Sequence, residues 1–257
     1  MAEMVFERAS EAFPHVRDFV AAAQMAESLK SLQDMISRVL PRFGLDYFLM
    51  SHHVDFGKPA PGTVQISNYP AEFVAVQREH GGWRDDPVLL ACEKTTAGFF
   101  WSDVVTLMPL SDYHRSRFEM GRRYGLADSF VVPNHIPGEY SGSVHFTVGP
   151  SRPFPRHLAP ALQSFATYGF EAARRLARTH DGSTLNSVPL TDRQIDCVLL
   201  SARGKSDTDI AQLLGLTRRT VNEYIEGAKR RYCVATRQQL IVRALFNSQI
   251  TFSQVLQ

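Results

Sequence analysis

The 257-residue sequence has few cysteines and no long apolar run. Cys92, Cys197 and Cys233 are an odd number and lack the CxxC spacing or neighbouring histidines of a zinc site. We therefore expect no metal, and reduced thiols that pack as small hydrophobic side chains. No apolar stretch approaches the ~20 residues that span a bilayer, and the N-terminus shows no secretory signal. These absences predict a cytoplasmic protein without a membrane partner.

The motifs of common catalytic and nucleotide-binding sites are also absent. GxSxG, HExxH and GxxxxGK[ST] do not occur in the sequence. His52 and His53 beside Asp55 could suggest a metal site, but we expect them to decorate the end of a strand. An enzyme is therefore not expected. A phosphorylation-driven response regulator would need an acidic pair on a doubly wound sheet, and the mixed pattern here argues against one.

Charge is distributed unevenly along the chain. From Val188 onward there are ten Lys and Arg against six Asp and Glu, whereas the preceding 187 residues have 18 against 20. A small basic module attached to a slightly acidic one is typical of a regulated nucleic-acid binder. Chance could produce the same partition at this size, so charge alone does not decide the function.

The chain divides into a mixed first part, a linker and a helical second part. Aromatic and β-branched segments predict strands, and apolar residues at helical spacing predict helices. We expect helices over 15–41, 71–80 and 155–178, and strands over 46–54, 63–67, 128–136 and 142–149. This pattern predicts an α+β protein in which residues 1–178 form an α-β-α layered domain. The polar stretch 179–188 predicts a linker, and 189–257 a small all-α domain.

Four helices are expected in this second domain. Thr191 and Gln194 have the spacing of a capping box, and Ser206 and Thr217 are further capping candidates. Gly215 can end the second helix in a left-handed conformation. The short turn that follows predicts a helix-turn-helix, which places the third helix in a DNA major groove. The residues expected to face the core are Ile195, Val198, Leu199, Ile210, Leu213, Leu214, Val221, Ile225, Ala228, Tyr232, Leu240, Ile241, Ala244 and Leu245.

This second part resembles the DNA-binding domain of LuxR-type transcription regulators. The family pattern is LTxRE, GK, EIA, a turn, TVxxH and VxxRxQ; this chain shows LTDRQ, GK, DIA, TVNEY and VATRQQ in register. The departures, at Gln194, Val198 and Tyr224, are mild. The resemblance implies a bacterial, four-helix helix-turn-helix domain that binds DNA.

The third of these helices has a polar side opposite its apolar one. Asn222 can pair with adenine and a glutamate can accept a hydrogen bond from cytosine, so this side could read bases. Alternatively, both glutamates form only solvated ion pairs, such as Glu226 with Arg230. The arginines and the lysine are expected to contact phosphates. The expected DNA-binding residues are Thr217, Arg218, Arg219, Asn222, Glu223, Glu226, Lys229 and Arg230.

Residues 68–103 contain an aromatic-rich helix, a Gly-Gly break and an Asp-Asp-Pro turn. On residues alone, Asp86 could anchor a ligand in an apolar pocket or cap a helix. The region resembles the autoinducer-binding domain of LuxR-type quorum-sensing receptors, which carries YPxxW, a following Tyr, then DP and a later Trp. Tyr69-Pro70, Asp86-Pro87 and Trp101 fall at those positions. YGLADSFVVP and GEYSGSVHFTV match the family's later segments, so the two resemblances cover nearly the whole chain.

This resemblance implies a role for each matched residue. Asp86 would accept the amide N–H of an acyl-homoserine lactone, and Tyr69 would donate its hydroxyl to the acyl carbonyl. Trp101 would pack on the lactone ring, and Thr147 would offer a further polar contact. Leu89, Phe99 and Phe100 are expected to form apolar lining. A buried carboxylate is costly unless hydrogen-bonded, so Asp86 needs the ligand or a close substitute.

The lactone end of the expected pocket departs from the family. Phe73 replaces the Trp whose indole N–H would bind the lactone carbonyl, Gln77 replaces the following Tyr, and Ser129 replaces a usual Gly. Losing one buried hydrogen bond costs about 1–3 kcal/mol. The chain could bind an ordinary lactone less tightly, compensate through Gln77 or Trp83, or prefer another ligand.

The resemblance implies a ligand-responsive transcription regulator of quorum sensing. The autoinducer would complete the first domain, which forms a homodimer and pairs two DNA-binding domains on a dyad promoter site, with RNA polymerase as a further partner. No cofactor other than this small molecule is expected. Helix 155–178 could form part of the dimer contact or belong to the domain core. The alternative function is a solo LuxR-type regulator that responds to a non-lactone molecule or acts without ligand.

Overall fold

A computed structural model of the protein describes residues 6–55, 57, 58, 60, 62–79, 85–180 and 189–257, apart from the side chains of 179 and 180. It divides into two compact units, Met1–His135 with Tyr140–Ser183, and Ile136–Glu139 with Thr184–Gln257. The predicted linker 179–188 lies almost entirely outside the described residues, so its boundaries stay a prediction.

The first unit is built on one antiparallel sheet with the strand order β2-β1-β5-β4-β3. Its strands are β1 (Tyr47–His52), β2 (Gln65–Ser67), β3 (Phe99–Phe100), β4 (Asp128–Asn134) and β5 (Gly142–Val148). The four strands expected from the sequence are present within the predicted segments. Strand β3 is an addition of two residues at the sheet edge, too short to give a periodic signal.

Within the described residues, seven α-helices pack around this sheet. They are α1 (Ala9–Gln24), α2 (Leu29–Val39), α3 (Ala71–Glu79), α4 (Pro87–Cys92), α5 (Val104–Leu107), α6 (Asp112–Arg123) and α7 (Ala159–His180). The prediction of one helix over 15–41 is wrong, because the chain breaks between α1 and α2. The Ser28 hydroxyl starts α2 by accepting a hydrogen bond from the backbone N–H of Ser31. The Ser31 hydroxyl in turn accepts one from the backbone N–H of Ser28. This capping pair overrides the continuous apolar pattern.

Side chains alternate between the two faces of the sheet, and the two faces differ in character. Phe48, Phe146 and Phe130 form one apolar row across β1, β5 and β4 that packs beneath α1 and α7. Phe19 of α1 stacks on Phe165 of α7 with ring centroids 3.7 Å apart. Helices α3, α4 and α6 cover the opposite face through smaller apolar clusters. The predicted α-β-α layering is confirmed.

The second unit is helical throughout its described residues. It consists of α8 (Asp192–Ala202), α9 (Asp207–Leu214), α10 (Arg218–Arg231), α11 (Arg237–Phe246) and the short α12 (Phe252–Val255), which was not predicted. Thr191 and Gln194 form the expected capping box, and Gly215 ends α9 with φ of 64°. Val221, Ile225 and Ala228 of α10 are buried in the common core, as predicted.

Two expectations for this unit are wrong. Leu213 is exposed, because the buried stripe of α9 runs through Ile210 and Ala211 with Leu214 partly buried, and Leu213 projects to one side of it. Cys233 is exposed as well, whereas Cys92 and Cys197 are buried. Cys233 follows the end of α10 in a left-handed conformation with φ of 52°, and its side chain is exposed there, whereas the next residue, Val234, packs against the core.

The glycine that begins β5 has no space for a larger residue. A Cβ atom on Gly142 would lie 2.9 Å from the carbonyl oxygen of Ser51 and would overlap the ring of Phe170. Gly142→Ala is therefore expected to lower the free energy of unfolding of the first unit by about 1–3 kcal/mol. Urea denaturation followed by tryptophan fluorescence measures this, because both tryptophans precede the second unit.

Gly149→Ala is the matched control just after the other end of the same strand. Its Cβ would meet nothing closer than 3.6 Å, so we expect little change in stability. Equal effects of the two substitutions would contradict the packing argument.

Candidate functional site

A cavity of about 270 Å³ lies in the first unit, on the sheet face covered by α3 and α4. Of the residues predicted to bind a ligand, Tyr69, Phe73, Gln77, Asp86, Leu89 and Trp101 line it. The structure thus brings together residues from α3, α4 and the segment after β3. The remaining lining residues are Gln33, Leu49, Gln65, Ile66, Ser67, Val74, Arg78, Val88 and His145.

Asp86 is at once a helix cap and a wall of the cavity. Its Oδ1 accepts hydrogen bonds from the backbone N–H groups of Val88 (2.9 Å) and Leu89 (3.4 Å) at the start of α4. Burial raises the pKa of Asp86 above its ordinary value, while the nearby Arg117 guanidinium and these N–H groups act in the opposite direction. The sequence left open whether Asp86 caps a helix or lines a pocket, and the structure shows both.

Arg117 of α6 is the partner of Asp86 that sequence reasoning missed. Its Nη2 lies 3.3 Å from Asp86 Oδ2 and also donates to Oε1 of Gln77. The Arg117 side chain is only 6% exposed, so this ion pair is largely desolvated. Arg117 belongs to a strongly polar helix and lies 31 residues beyond Asp86 in the sequence. No local sequence pattern therefore connects Arg117 with Asp86. The carboxylate therefore has a protein partner besides any ligand.

The contact with Arg117 also fixes the orientation of the Gln77 amide. Because the side-chain oxygen of Gln77 accepts from Arg117, its NH₂ group, which has no acceptor among the described residues, is a donor on the cavity wall. Phe73 beside it offers no hydrogen bond and packs against Tyr69 and Tyr124, with ring centroids 5.8 and 5.7 Å apart.

Tyr69 is the first member of a buried chain of hydroxyl groups. Ser129 donates to the backbone carbonyl of Phe146 (3.0 Å), and Thr147 donates to Ser129 (2.9 Å). Since each hydroxyl has one proton, the 2.8 Å contact between Tyr69 and Thr147 must use the proton of Tyr69. Tyr69 thus keeps a lone pair on the cavity side, and a ligand carbonyl would compete with Thr147 for its proton.

Four residues that were expected at the cavity, Phe99, Phe100, Ser129 and Thr147, are not part of its wall. Thr147 and Ser129 are fully buried behind Tyr69 and act through it. Phe100 does not line the cavity, because alternation along β3 turns it to the opposite face, against Phe130 and Phe154. Phe99, its neighbour, faces the cavity side with Val88 and Val131. Trp83 lies outside the described residues.

Trp101 lies at the junction of the cavity and the cluster beneath α6. Its ring meets that of Phe118 edge to face at a centroid distance of 5.7 Å. The indole Nε1 is buried and has no hydrogen-bond partner within the described part of the chain. Trp101 therefore contributes apolar surface to the cavity wall.

The second unit presents a separate candidate surface on α10. Thr217, Arg218, Arg219, Asn222, Glu223 and Arg230 are exposed, whereas Glu226 and Lys229 are half-buried. Within this exposed strip, Arg219, Asn222, Glu223 and Arg230 lie on the side away from the buried Val221, Ile225 and Ala228, as the helical wheel predicts, whereas Glu226, expected on the same side, is half-buried. Thr217 starts the helix by accepting a hydrogen bond from the backbone N–H of Thr220.

Both glutamates of α10 are in ion pairs, one of them with a different partner from that expected. Glu223 pairs with Arg219 at 3.0 Å, and Glu226 pairs with Lys229 at 2.8 Å and not with Arg230. Lys229 follows the buried Ala228, and its side chain is only 19% exposed. The ion pair therefore holds Glu226 at the edge of the exposed strip. Arg230 stays exposed.

The described residues contain no cluster of three or more His, Cys, Asp or Glu side chains that could hold a metal ion. Within the same residues, no helix combines the length and the apolar character needed to cross a membrane.

Removing Arg117 tests the electrostatics of the cavity. Arg117→Met leaves the Asp86 carboxylate without its cation, so we expect a loss of about 2–4 kcal/mol in unfolding free energy at pH 7. The substitution raises the pKa of Asp86 further above that of the unfolded chain. The loss is therefore greatest above the folded pKa and shrinks as pH falls through it. Urea denaturation between pH 7 and pH 4 measures this trend.

Two variants control for this experiment. In Asp86→Asn/Arg117→Met the pH dependence attributed to Asp86 should disappear. Lys30→Met removes an exposed pair with Asp34 in the same unit and should cost less than about 1 kcal/mol. A loss in Arg117→Met that is the same at all pH values would argue against the ion pair.

Two protein-family models match the chain. The autoinducer binding domain matches residues 28–173, and the model of bacterial regulatory proteins of the luxR family matches residues 188–244. The transcriptional activator protein BjaR1 of Bradyrhizobium diazoefficiens is 24% identical over 89% of this chain and 93% of its own length. AhyR of Aeromonas hydrophila, also named a transcriptional activator protein, is 24% identical over 83% of this chain and 84% of its own length.

Among solved structures, Escherichia coli SdiA superposes with a TM-score of 0.67 at 19% identity, over 95% of this chain and 99% of SdiA. This likeness concerns the fold. The family expected from the sequence motifs is confirmed by the two matched domain models, which follow each other in the family's order. The chain belongs to the LuxR-type bacterial transcription regulators, with an autoinducer-binding domain followed by a LuxR-type helix-turn-helix domain.

Proposed function

We propose that this regulator binds an N-acyl-homoserine lactone in the cavity of its first unit and then binds a dyad promoter site as a homodimer. The observation that carries the proposal is the convergence of Tyr69, Asp86 and Trp101 on one cavity in a domain of the autoinducer-binding family. The protein acts in the cytoplasm, has no catalytic role and works with RNA polymerase.

Asp86 is suited to receive the amide N–H of the ligand. One of its oxygens caps α4, and the other is 3.3 Å from Arg117 and has a second lone pair for a ligand donor. The lactone carbonyl, which lacks an indole donor at Phe73, is met by the free NH₂ group of Gln77. Gln77 thereby compensates for the missing indole, and Arg117 positions both polar groups.

The dimer and the DNA contact follow from exposed faces of α7 and α10. Most of α7 is core, since Leu162, Phe165 and Phe170 are buried, but Tyr168 on its outer side is 55% exposed. This outer side is proposed as part of the dimer contact. On α10, Arg218, Arg219 and Arg230 contact phosphates, which fixes the position of Asn222 and Glu223 against the bases.

Ligand binding is tested by thermal unfolding of the full-length protein with a series of acyl-homoserine lactones. A ligand at a hundredfold excess over its Kd stabilises the folded state by about 2.7 kcal/mol, so a clear rise in Tm is expected. Homoserine lactone without an acyl chain is the matched control and should have no effect. Asp86→Asn should weaken binding by roughly one to two decades. If no lactone raises Tm or co-purifies, as judged by mass spectrometry, the proposed ligand is wrong.

Base reading by α10 is tested on DNA sites selected from a random library with the wild-type protein. Glu223, on the exposed strip, is expected to read a cytosine, so Glu223→Ala should lose about tenfold in affinity only at particular base pairs. Glu226, held by Lys229 at the edge, should give an equal change on all single-base variants. Arg230→Ala is the control for a phosphate contact, because Arg230 is exposed and is not the partner of Glu223, and it should give a uniform loss and a shallower salt dependence. A uniform loss for Glu223→Ala would show that it is not a base reader.

A further inference from the structure

Polar residues continue along the cavity face of β5 beyond the Tyr69 contact. Ser143, His145 and Thr147 alternate along this strand and therefore share one face, and His145 lines the cavity. Two residues of a strand span about 7 Å, so His145 lies roughly that distance from Thr147. If the acyl carbonyl of a ligand contacts Tyr69, the acyl chain lies next to His145.

His145 is buried and held by one of its ring nitrogens. Its Nε2 lies 2.8 Å from Oγ of Ser143, which also contacts Nε2 of His53 at 2.9 Å. Among the residues that the structure describes, Nδ1 of His145 has no hydrogen-bond partner. Burial lowers the pKa of His145 to about 4, so the ring is neutral at pH 7 and has one donor and one acceptor nitrogen.

A second polar group without a partner lies on the same face. Ser51 of β1 is directly opposite Ser143, and its Oγ is buried with no hydrogen-bond partner in the described part of the chain. Ser51 also pairs in register with Gln65 of β2, whose side chain lines the cavity. An entirely apolar acyl chain would displace water from His145 without offering it a hydrogen bond, which costs free energy.

We infer that the acyl substituent of the ligand carries a hydroxyl group roughly 7 Å beyond its carbonyl, at the distance of His145, and that this hydroxyl hydrogen bonds to His145. This rests on the proposed function, because it assumes a lactone head group at Tyr69 and Asp86. A hydroxyl fits better than a carbonyl, because Ser143 has a single proton and either tautomer of His145 is compatible with it. A hydroxyl can donate or accept and so pairs with both tautomers.

The test uses three matched ligands: N-(3-phenylpropanoyl)-homoserine lactone and its 4-hydroxyphenyl and 4-fluorophenyl counterparts. Isothermal titration calorimetry with the full-length wild-type protein is expected to show about tenfold tighter binding of the hydroxyl compound than of the other two. The fluoro compound controls for size. In His145→Phe, which keeps an aromatic ring, this preference should fall to about onefold while binding of the phenyl compound is retained. Lys30→Gln, an exposed position of the same unit outside the cavity wall, should keep the preference.

The outcomes separate this inference from the proposed function. Equal affinity for the hydroxyl and fluoro compounds in the wild-type protein overturns the inference alone, without any variant that might misfold. A preference that persists in His145→Phe overturns the assignment to His145. Binding of none of the three compounds, nor of any unsubstituted acyl-homoserine lactone, overturns the inference and the proposed ligand together.

Discussion

The pleat of strand β5 is the constraint on which the first unit depends. Its even-numbered residues Val144, Phe146 and Val148 are committed to the core beneath α1 and α7, and the odd-numbered Ser143, His145 and Thr147 necessarily face the cavity side. A slip of one residue would exchange these sets and bury hydroxyl and imidazole groups among phenylalanines. The apolar packing of one face therefore determines which polar side chains of β5 face the cavity.

A second constraint on the first unit is the largely desolvated carboxylate of Asp86 in the cavity wall. One oxygen of Asp86 accepts hydrogen bonds from the start of α4, and the other accepts from the guanidinium of Arg117. Arg117 in turn orients Gln77, so one arginine on α6 determines both the charge balance and the donor pattern of the cavity. Gln77 and Asp86 are therefore coupled through Arg117, whereas Phe73 beside them contributes only apolar packing.

Most helices of the second unit could be predicted from the sequence, because the residues that begin, end and bury them are close together in the chain. Capping at Thr191 and the glycine turn at Gly215 act within a few residues, and the apolar stripe of α10 is periodic. The cavity was readable only where family motifs supplied Tyr69, Asp86 and Trp101. Arg117 was missed because a polar helix gives no apolar period and its partners are distant in sequence. Phe100 was misplaced because two adjacent phenylalanines in a strand must face opposite sides, and His145 could have been found from the same alternation, counting back from Thr147.

The hydroxyl chain behind Tyr69 ends on the backbone carbonyl of Phe146, which can only accept. Ser129, at the buried end of this hydrogen-bond chain, therefore determines the direction in which Thr147 and Tyr69 donate. A glycine at that position would let Thr147 donate to the phenol, which could then give its proton to a ligand carbonyl without competition. Ligand preference in such receptors can consequently diverge through a residue outside the cavity wall, and relatives that share identical walls need not share a signal.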